Sequence, residues 1–269
     1  MLVVAACAHP APRPTMFAQA EAYEQFMGRW SRLIDEPLVT FAGVSSGQAV
    51  LDVGSGTGEL AVAVRDRGGV VTGIDLSPDF VSYAKQHAPG ITFAVGDAQK
   101  LAFAPATFDV SLSLLVLNFV PDPATAVREM ARVTKPGGTI AAAVWDYSGD
   151  MEMLRIFFEE ATALDPSAKD ERATPLGKPG ALAQLFRSNG FDHVEEAPLV
   201  VELRFASFDD YWKPFLLGTG PAGAYMKTLS ADRREALAAR LRRRLGDGAF
   251  TLKARAWAVK ALAPAELRQ

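Results

Sequence analysis

The sequence predicts an α/β fold, a mostly parallel sheet with helices on both faces. Three observations lead there. Short apolar runs alternate with amphipathic stretches from residue 49 to residue 145, the pattern of strands joined by crossover helices. The first run, Ala49–Val53, opens into Gly54-Ser55-Gly56-Thr57-Gly58, a loop with glycine at every second position. Aspartates stand at matching places near the ends of three runs: Asp52, Asp75 and Asp97. In open parallel sheets, ligands bind beyond those strand ends.

Each element has its own signal. Residues 17–43 read as helical, marked by Phe17, Tyr23, Phe26, Met27, Trp30 and Ile34. Ala49–Val53 is the first strand and Leu60–Arg67 the helix after it. Val70–Asp75 is the second strand. Ser77-Pro78 starts a helix, with serine as the cap and proline in the first turn. Ile91–Val95 is the third strand, Phe108–Leu115 the fourth, and Pro123–Val133 a helix. Lys135-Pro136-Gly137-Gly138 reads as a turn before a fifth strand, Thr139–Trp145. Beyond Trp145 the rhythm breaks. Helices are expected over 181–188, 207–217 and 230–245, with strands over 193–206 and 250–262.

Composition narrows the classes. The chain has 269 residues, 49% hydrophobic and 22% charged, with a net charge of −3. This is ordinary for a globular protein and gives no electrostatic case for nucleic-acid binding. One cysteine, Cys7, leaves no intrachain disulfide and no cysteine-built zinc site. No metal is expected, since His87 and His193 lack partners at ligand spacing. The apolar runs are too short to span a bilayer. The proline-rich residues 1–15 are read as a disordered tail. Residues 16–269 are read as one cytoplasmic domain, monomeric or homodimeric. The basic run at Arg240, Arg242, Arg243 and Arg244 reads as the solvated face of a helix with Leu237, Leu241 and Leu245 inward.

The loop and its acidic neighbours carry the chemistry. Glycines let backbone turn with positive φ or lie against a ligand. The helix start beyond them offers free N–H groups and a positive dipole end. Asp75 stands where a carboxylate accepts from ribose hydroxyls, and Asp97-Ala98 where an adenine edge is read. A dinucleotide fingerprint requires glycine at the position Glu59 occupies, and no P-loop lysine follows. The acidic residue before the loop suits an ammonium better than a phosphate. Together these describe a ligand with adenosine at one end and an amino acid at the other.

Leu51-Asp52-Val53-Gly54-Ser55-Gly56-Thr57-Gly58, with Gly73-Ile74-Asp75, Gly96-Asp97-Ala98 and Val133-Thr134-Lys135-Pro136-Gly137-Gly138, resembles the class I S-adenosylmethionine-dependent methyltransferases. The chain is similar to the broad group that includes the quinone-biosynthesis enzymes. The resemblance covers about residues 49–145. It implies a Rossmann-like seven-stranded sheet of order 3-2-1-4-5-7-6, with strand seven antiparallel. It implies S-adenosylmethionine as cofactor and direct in-line methyl transfer to a small-molecule acceptor.

The implied roles follow the motifs. Gly54, Ser55, Gly56 and Gly58 bring backbone to the methionine part, and Asp52 helps hold its ammonium. Asp75 takes the ribose hydroxyls and Leu76 packs on adenine. Asp97 and the Ala98 N–H read the adenine edge. Leu114 or Leu115 lines the donor site. Tyr23, Met27 and Trp30 resemble a covering N-terminal helix within cap helices over 17–43. Lid insertions over about 148–177 and 207–246 are expected to cover the acceptor. Asn118, Trp145, Asp146, Tyr147 and Tyr211 are the acceptor-side candidates, and no general base is singled out. Two rivals stay open, a nicotinamide-dependent oxidoreductase and a non-catalytic cofactor-binding protein.

Overall fold

The structure, a computed structural model, describes residues 20–168 and 174–264. The tail expected over 1–15, the first residues of the cap helix and Cys7 lie outside the described residues.

Seven strands form one sheet of order β3-β2-β1-β4-β5-β7-β6. They are β1 (Ala49–Val53), β2 (Val70–Asp75), β3 (Thr92–Val95), β4 (Phe108–Leu114), β5 (Thr134–Trp145), β6 (Glu195–Phe205) and β7 (Phe250–Leu262). β1 to β5 pair in parallel, and β7 runs antiparallel to both β5 and β6. Side-chain alternation along the strands creates two cores. Val50, Val71, Val110, Leu112, Ala141 and Trp145 face one; Leu51, Val53, Ile74, Ile140, Val144 and Val259 face the other.

The N-terminal stretch, expected as cap helices over 17–43, is a broken helical run over its described residues. It consists of α1 (Ala20–Tyr23), a π-turn over Glu24–Gly28, α2 (Arg29–Ser31), a tight turn over Arg32–Ile34 and α3 (Asp35–Ala42). Pro37 explains the restart, because it has no N–H to continue an incoming ladder and is tolerated only in a first turn. Ile34 accordingly sits at φ −107°, ψ 1°. Gly28 explains the packing upstream, since a Cβ there would meet the Glu24 carboxylate at 2.6 Å.

The turn expected at Lys135–Gly138 lies inside β5 as a bulge. Phe108 pairs with Thr134, but Val110 pairs with Thr139. Gly137 takes φ +76°, which relieves the extra residues at no steric cost. The crossover helices are α4 (Glu59–Asp66), α5 (Pro78–His87) and α6 (Pro123–Val133). Ser77 and Asp122 cap the last two by accepting from Phe80 and Thr125 N–H groups.

Beyond β5 come α7 (Glu152–Leu164), α8 (Ala181–Ser188), α9 (Phe208–Trp212), α10 (Gly220–Thr228) and α11 (Ala231–Leu245). α10 is a helix where none was expected. Gly220-Pro221 reads as a loop, yet proline also suits a helix start. On α11, Leu237 and Leu241 are buried, while Arg240 and Arg244 pair with Glu159 and Glu160 of α7.

An aromatic stack ties these parts together. Phe215 lies parallel to Phe157 of α7 at 4.4 Å and edge-on to Phe26 at 5.0 Å. It is fully buried. Phe215→Ala is expected to destabilise the fold by about 3–5 kcal/mol, read as a lower midpoint in chemical denaturation.

Candidate functional site

The carboxyl ends of β1 to β5 surround a cleft of about 320 Å³. Its floor is the glycine loop. Gly54 and Ser55 donate backbone N–H groups to the Ile74 carbonyl at 2.8 and 2.7 Å, locking the loop to β2. Gly54 has φ +78°, and a Cβ on it would lie 2.3 Å from a Val116 methyl. Gly56 has φ +51°, and a Cβ there would meet no atom within 4 Å. The first glycine permits close packing, and the second leaves bare backbone beside the cleft.

Asp75 organises the cleft from β2. One oxygen accepts from the Gly56 N–H at 2.9 Å, the other from the Ser77 N–H at 2.8 Å. Burial still holds its carboxyl above the ordinary range, against those two bonds. Asp97 accepts from the Gln99 backbone N–H at 2.8 Å through Oδ1, closing the turn after β3. Leu76 lies half-exposed between them. Leu115, just past β4, has φ +62°, an uncommon conformation for a branched side chain.

Asp52 sits behind this floor. It is 1% exposed, and neither carboxylate oxygen has a hydrogen-bond partner. Burial, then the nearby Asp75 charge, pushes it up to about 8. Asp35, at the start of α3, is 5% exposed and also pushed up to about 8, by burial and then by the Asp52 charge. Tyr23 closes the same end, its phenol pushed up to about 12 by burial.

The structure gathers most of the expected residues around one hollow. Tyr23, Met27, Gly54, Gly56, Asp75, Leu76, Asp97, Ala98, Leu114, Leu115, Trp145 and Tyr147 line it. Phe119, Val120 and Pro121 line it too, and nothing in their sequence marked them. Ser55, Gly58 and Asn118 lie just outside the lining. Gly58 packs against the Phe93 ring, and both polar atoms of Asn118 are buried without partners.

Three expected residues are placed elsewhere. Trp30 packs on Phe205 at 4.8 Å beneath the Arg29 guanidinium. Tyr211 is buried and donates its hydroxyl to the Met153 carbonyl at 3.0 Å. Asp146 is fully buried, with Ser148 on one oxygen and Arg255 on the other at 2.8 Å. No residue of 207–246 lines the cleft; its roof is Tyr23 and Met27 of the N-terminal stretch. No group of metal-ligating side chains occurs among the described residues, and no described helix is long and apolar enough to cross a membrane.

Comparison with known proteins agrees with this architecture. Residues 51–142 match the methyltransferase domain family. The chain is 39% identical over 119 residues to the demethylmenaquinone methyltransferase of Renibacterium salmoninarum, covering 44% of this chain and 48% of that protein. It is 37% identical over 153 residues to the ubiquinone biosynthesis O-methyltransferase of Paracidovorax citrulli, covering 54% and 64%. The chain thus spans about half the length of the first of these relatives. Phosphoethanolamine N-methyltransferase 2 of Haemonchus contortus shares the fold, with a TM-score of 0.56 at 20% identity over 91% of this chain and 57% of that one. Residues 51–142 thus match a methyltransferase domain, within a sheet whose order is that of the methyltransferase Rossmann-like fold.

The buried carboxylates set a pH dependence. The folded chain retains protons that the unfolded chain loses above about pH 4, so their stabilising contribution is complete below that pH and is lost as pH rises through about 8. Ligand-free protein is therefore expected to melt lower at about pH 9 than at about pH 6. Asp52→Asn removes a buried charge, so it should flatten that profile and add about 1–3 kcal/mol at the alkaline end. Thermal melts across the pH range check both.

Proposed function

We propose that this chain transfers a methyl group from S-adenosylmethionine to a small, largely apolar acceptor. One observation carries the reading. The glycine loop, Asp75 and Asp97 share a single cleft, and behind it lies a buried carboxylate with no donor. That carboxylate, Asp52, is also the test of fit, because the cofactor's amino-acid arm ends in an ammonium.

The residues divide the ligand among them. Gly54 and Gly56 present backbone to the methionine portion. Asp75 is fixed by the Gly56 and Ser77 N–H groups and keeps lone pairs for ribose hydroxyls. Leu76 offers an apolar face to adenine. Asp97 spends Oδ1 on Gln99 and leaves Oδ2 for an exocyclic amine. The cofactor supplies an activated methyl group on its sulfonium. What remains for the chain is alignment and exclusion of water. Tyr23 and Met27 roof the cleft, and Phe119, Val120, Pro121, Trp145 and Tyr147 wall it.

Those walls favour a flat apolar acceptor. The names of the quinone-biosynthesis relatives support the same substrate character. Acceptor-side binding comes from apolar contact, with the Trp145 indole N–H, buried without a partner, as a donor available nearby.

Isothermal titration is expected to detect S-adenosylhomocysteine binding, and a melting curve that does not move on adding millimolar S-adenosylhomocysteine would overturn the reading. Asp75→Ala loses ribose contacts and the bond that orders Gly56. Charge-assisted bonds contribute about 1.5–3 kcal/mol each, so affinity should fall at least about tenfold in the folded variant. Unchanged affinity would remove Asp75 from the ribose site.

A further inference from the structure

The far end of the cleft is built from β5. Trp145 ends that strand and lines the hollow together with Leu115, Met27 and Tyr147. It shares a face with Ala141 and Ala143, so its ring projects into the core that the N-terminal stretch covers. The backbone around it is held on both sides. Trp145 pairs with Ala256 of β7, and its carbonyl accepts from the Tyr147 N–H at 3.0 Å. Leu115 donates its N–H to the Ala143 carbonyl at 2.8 Å. Tyr147 is fixed in turn by Gly177, where a Cβ would lie 2.6 Å from its ring.

The ring of Trp145 carries an unmet demand. The residue is 1% exposed, and its indole Nε1 has no hydrogen-bond partner. An indole N–H can only donate, and a buried donor left unbonded is destabilising. Trp257 has the same deficit, but it alternates with Ala256 and Ala258 and so lies on the other face of β7, under the Arg255 guanidinium. Of the two, only Trp145 borders the cleft. Sheet order separates it from the cofactor side. The groups assigned to the cofactor stand at the ends of β3, β2 and β1, with β4 and then β5 beyond them. Neighbouring strands lie about 4.8 Å apart, so β5 runs about 10 Å from the strand that opens into the glycine loop.

We infer that Trp145 is a specificity-determining residue whose indole N–H donates to an oxygen on the acceptor, so that the chain takes an aromatic ring bearing a hydroxyl or carbonyl group in preference to a bare hydrocarbon. The inference rests on the methyl-transfer reading above and adds to it an acceptor class and the residue that selects it. Leu115, Met27 and Tyr147 offer the ring apolar contact, and one directional bond fixes its rotation. A ring without the oxygen leaves the indole unbonded and binds more weakly for that reason. The indole keeps its proton throughout, so this bond orients the acceptor and makes no demand on a base.

Indole N–H signals in proton–nitrogen correlation spectra read the bond directly, because the chain has four tryptophans. The Trp145 signal is the one that survives single substitutions of Trp30, Trp212 and Trp257. With S-adenosylhomocysteine saturating, 2-naphthol is expected to move that signal downfield, whereas naphthalene is not. In isothermal titration 2-naphthol should bind roughly tenfold more tightly than naphthalene. Trp145→Phe keeps an apolar ring without the donor and should lose that preference. Circular dichroism reports whether the variant is folded, and the wild-type signal decides the matter if it is not. Equal affinity of the two rings, a preference that persists in folded Trp145→Phe, or an unmoved Trp145 signal with 2-naphthol bound would overturn the inference. So would a downfield shift on S-adenosylhomocysteine alone, which gives the donor to the cofactor. In each of those outcomes S-adenosylhomocysteine still binds and the cofactor reading stands. Failure of both rings to bind removes the flat acceptor and the role of Trp145 together, and failure of S-adenosylhomocysteine to bind removes the reading on which both rest.

Discussion

A carboxyl group buried without a hydrogen-bond partner at the carboxyl end of β1 is the constraint around which the site is arranged. Asp52 lies in the central strand of the parallel block, where water cannot reach its oxygens. A carboxylate so placed costs several kcal/mol unless it is neutralised or paired. The fold supplies neither a lysine nor a row of N–H donors. It places Asp75 and Asp35 nearby instead, which makes the deficit larger. Stability is given up locally, where a cationic ligand can restore it.

The backbone around that charge is correspondingly fixed. Asp75 bridges the glycine loop and the start of α5 through two N–H groups, so the loop cannot shift without disturbing β2. Gly54 lets Val116 approach, and Val116 belongs to the segment whose neighbour Leu115 is held at positive φ. Loop, second strand and fourth strand therefore close on one another before any ligand arrives. Preorganisation of this kind limits the ordering entropy left to pay on binding.

Much of this was legible because it is local. A strand, a glycine-rich turn and a carboxylate at the next strand end are short-range patterns. Asp75, Asp97 and Gly56 could be assigned to one cleft from them. The sheet order required the resemblance, since strand periodicity alone does not order the strands. What was illegible depends on tertiary packing. Pro37 stands in the sequence, but that it restarts a helix and buries Asp35 near Asp52 depends on where α3 lies. Tyr211 and Asp146 had the residue types of a substrate site, yet one is used by the Met153 carbonyl and the other by Arg255. Trp30 shares a helical stretch with Tyr23, and the π-turn between them directs it to Phe205 instead of the cleft.

The segment expected to cover the acceptor works from behind the roof. Phe215 stacks between Phe157 and Phe26, one residue from Met27 at the cleft. Arg29 grips Asp210 through both carboxylate oxygens, at 2.6 and 3.1 Å. The helical region after β6 thus braces the N-terminal stretch, and that stretch carries Tyr23, Met27 and Asp35. A residue outside the cleft can then alter ligand affinity by changing how firmly the roof is held. Two kinds of change become separable in the same variant set. Loss of a brace such as Phe215 lowers stability and weakens binding together, whereas loss of a carboxylate such as Asp52 raises ligand-free stability while binding weakens. On the proposed function, the opposite signs follow from one buried carboxyl, whose charge burial disfavours and a cationic ligand favours.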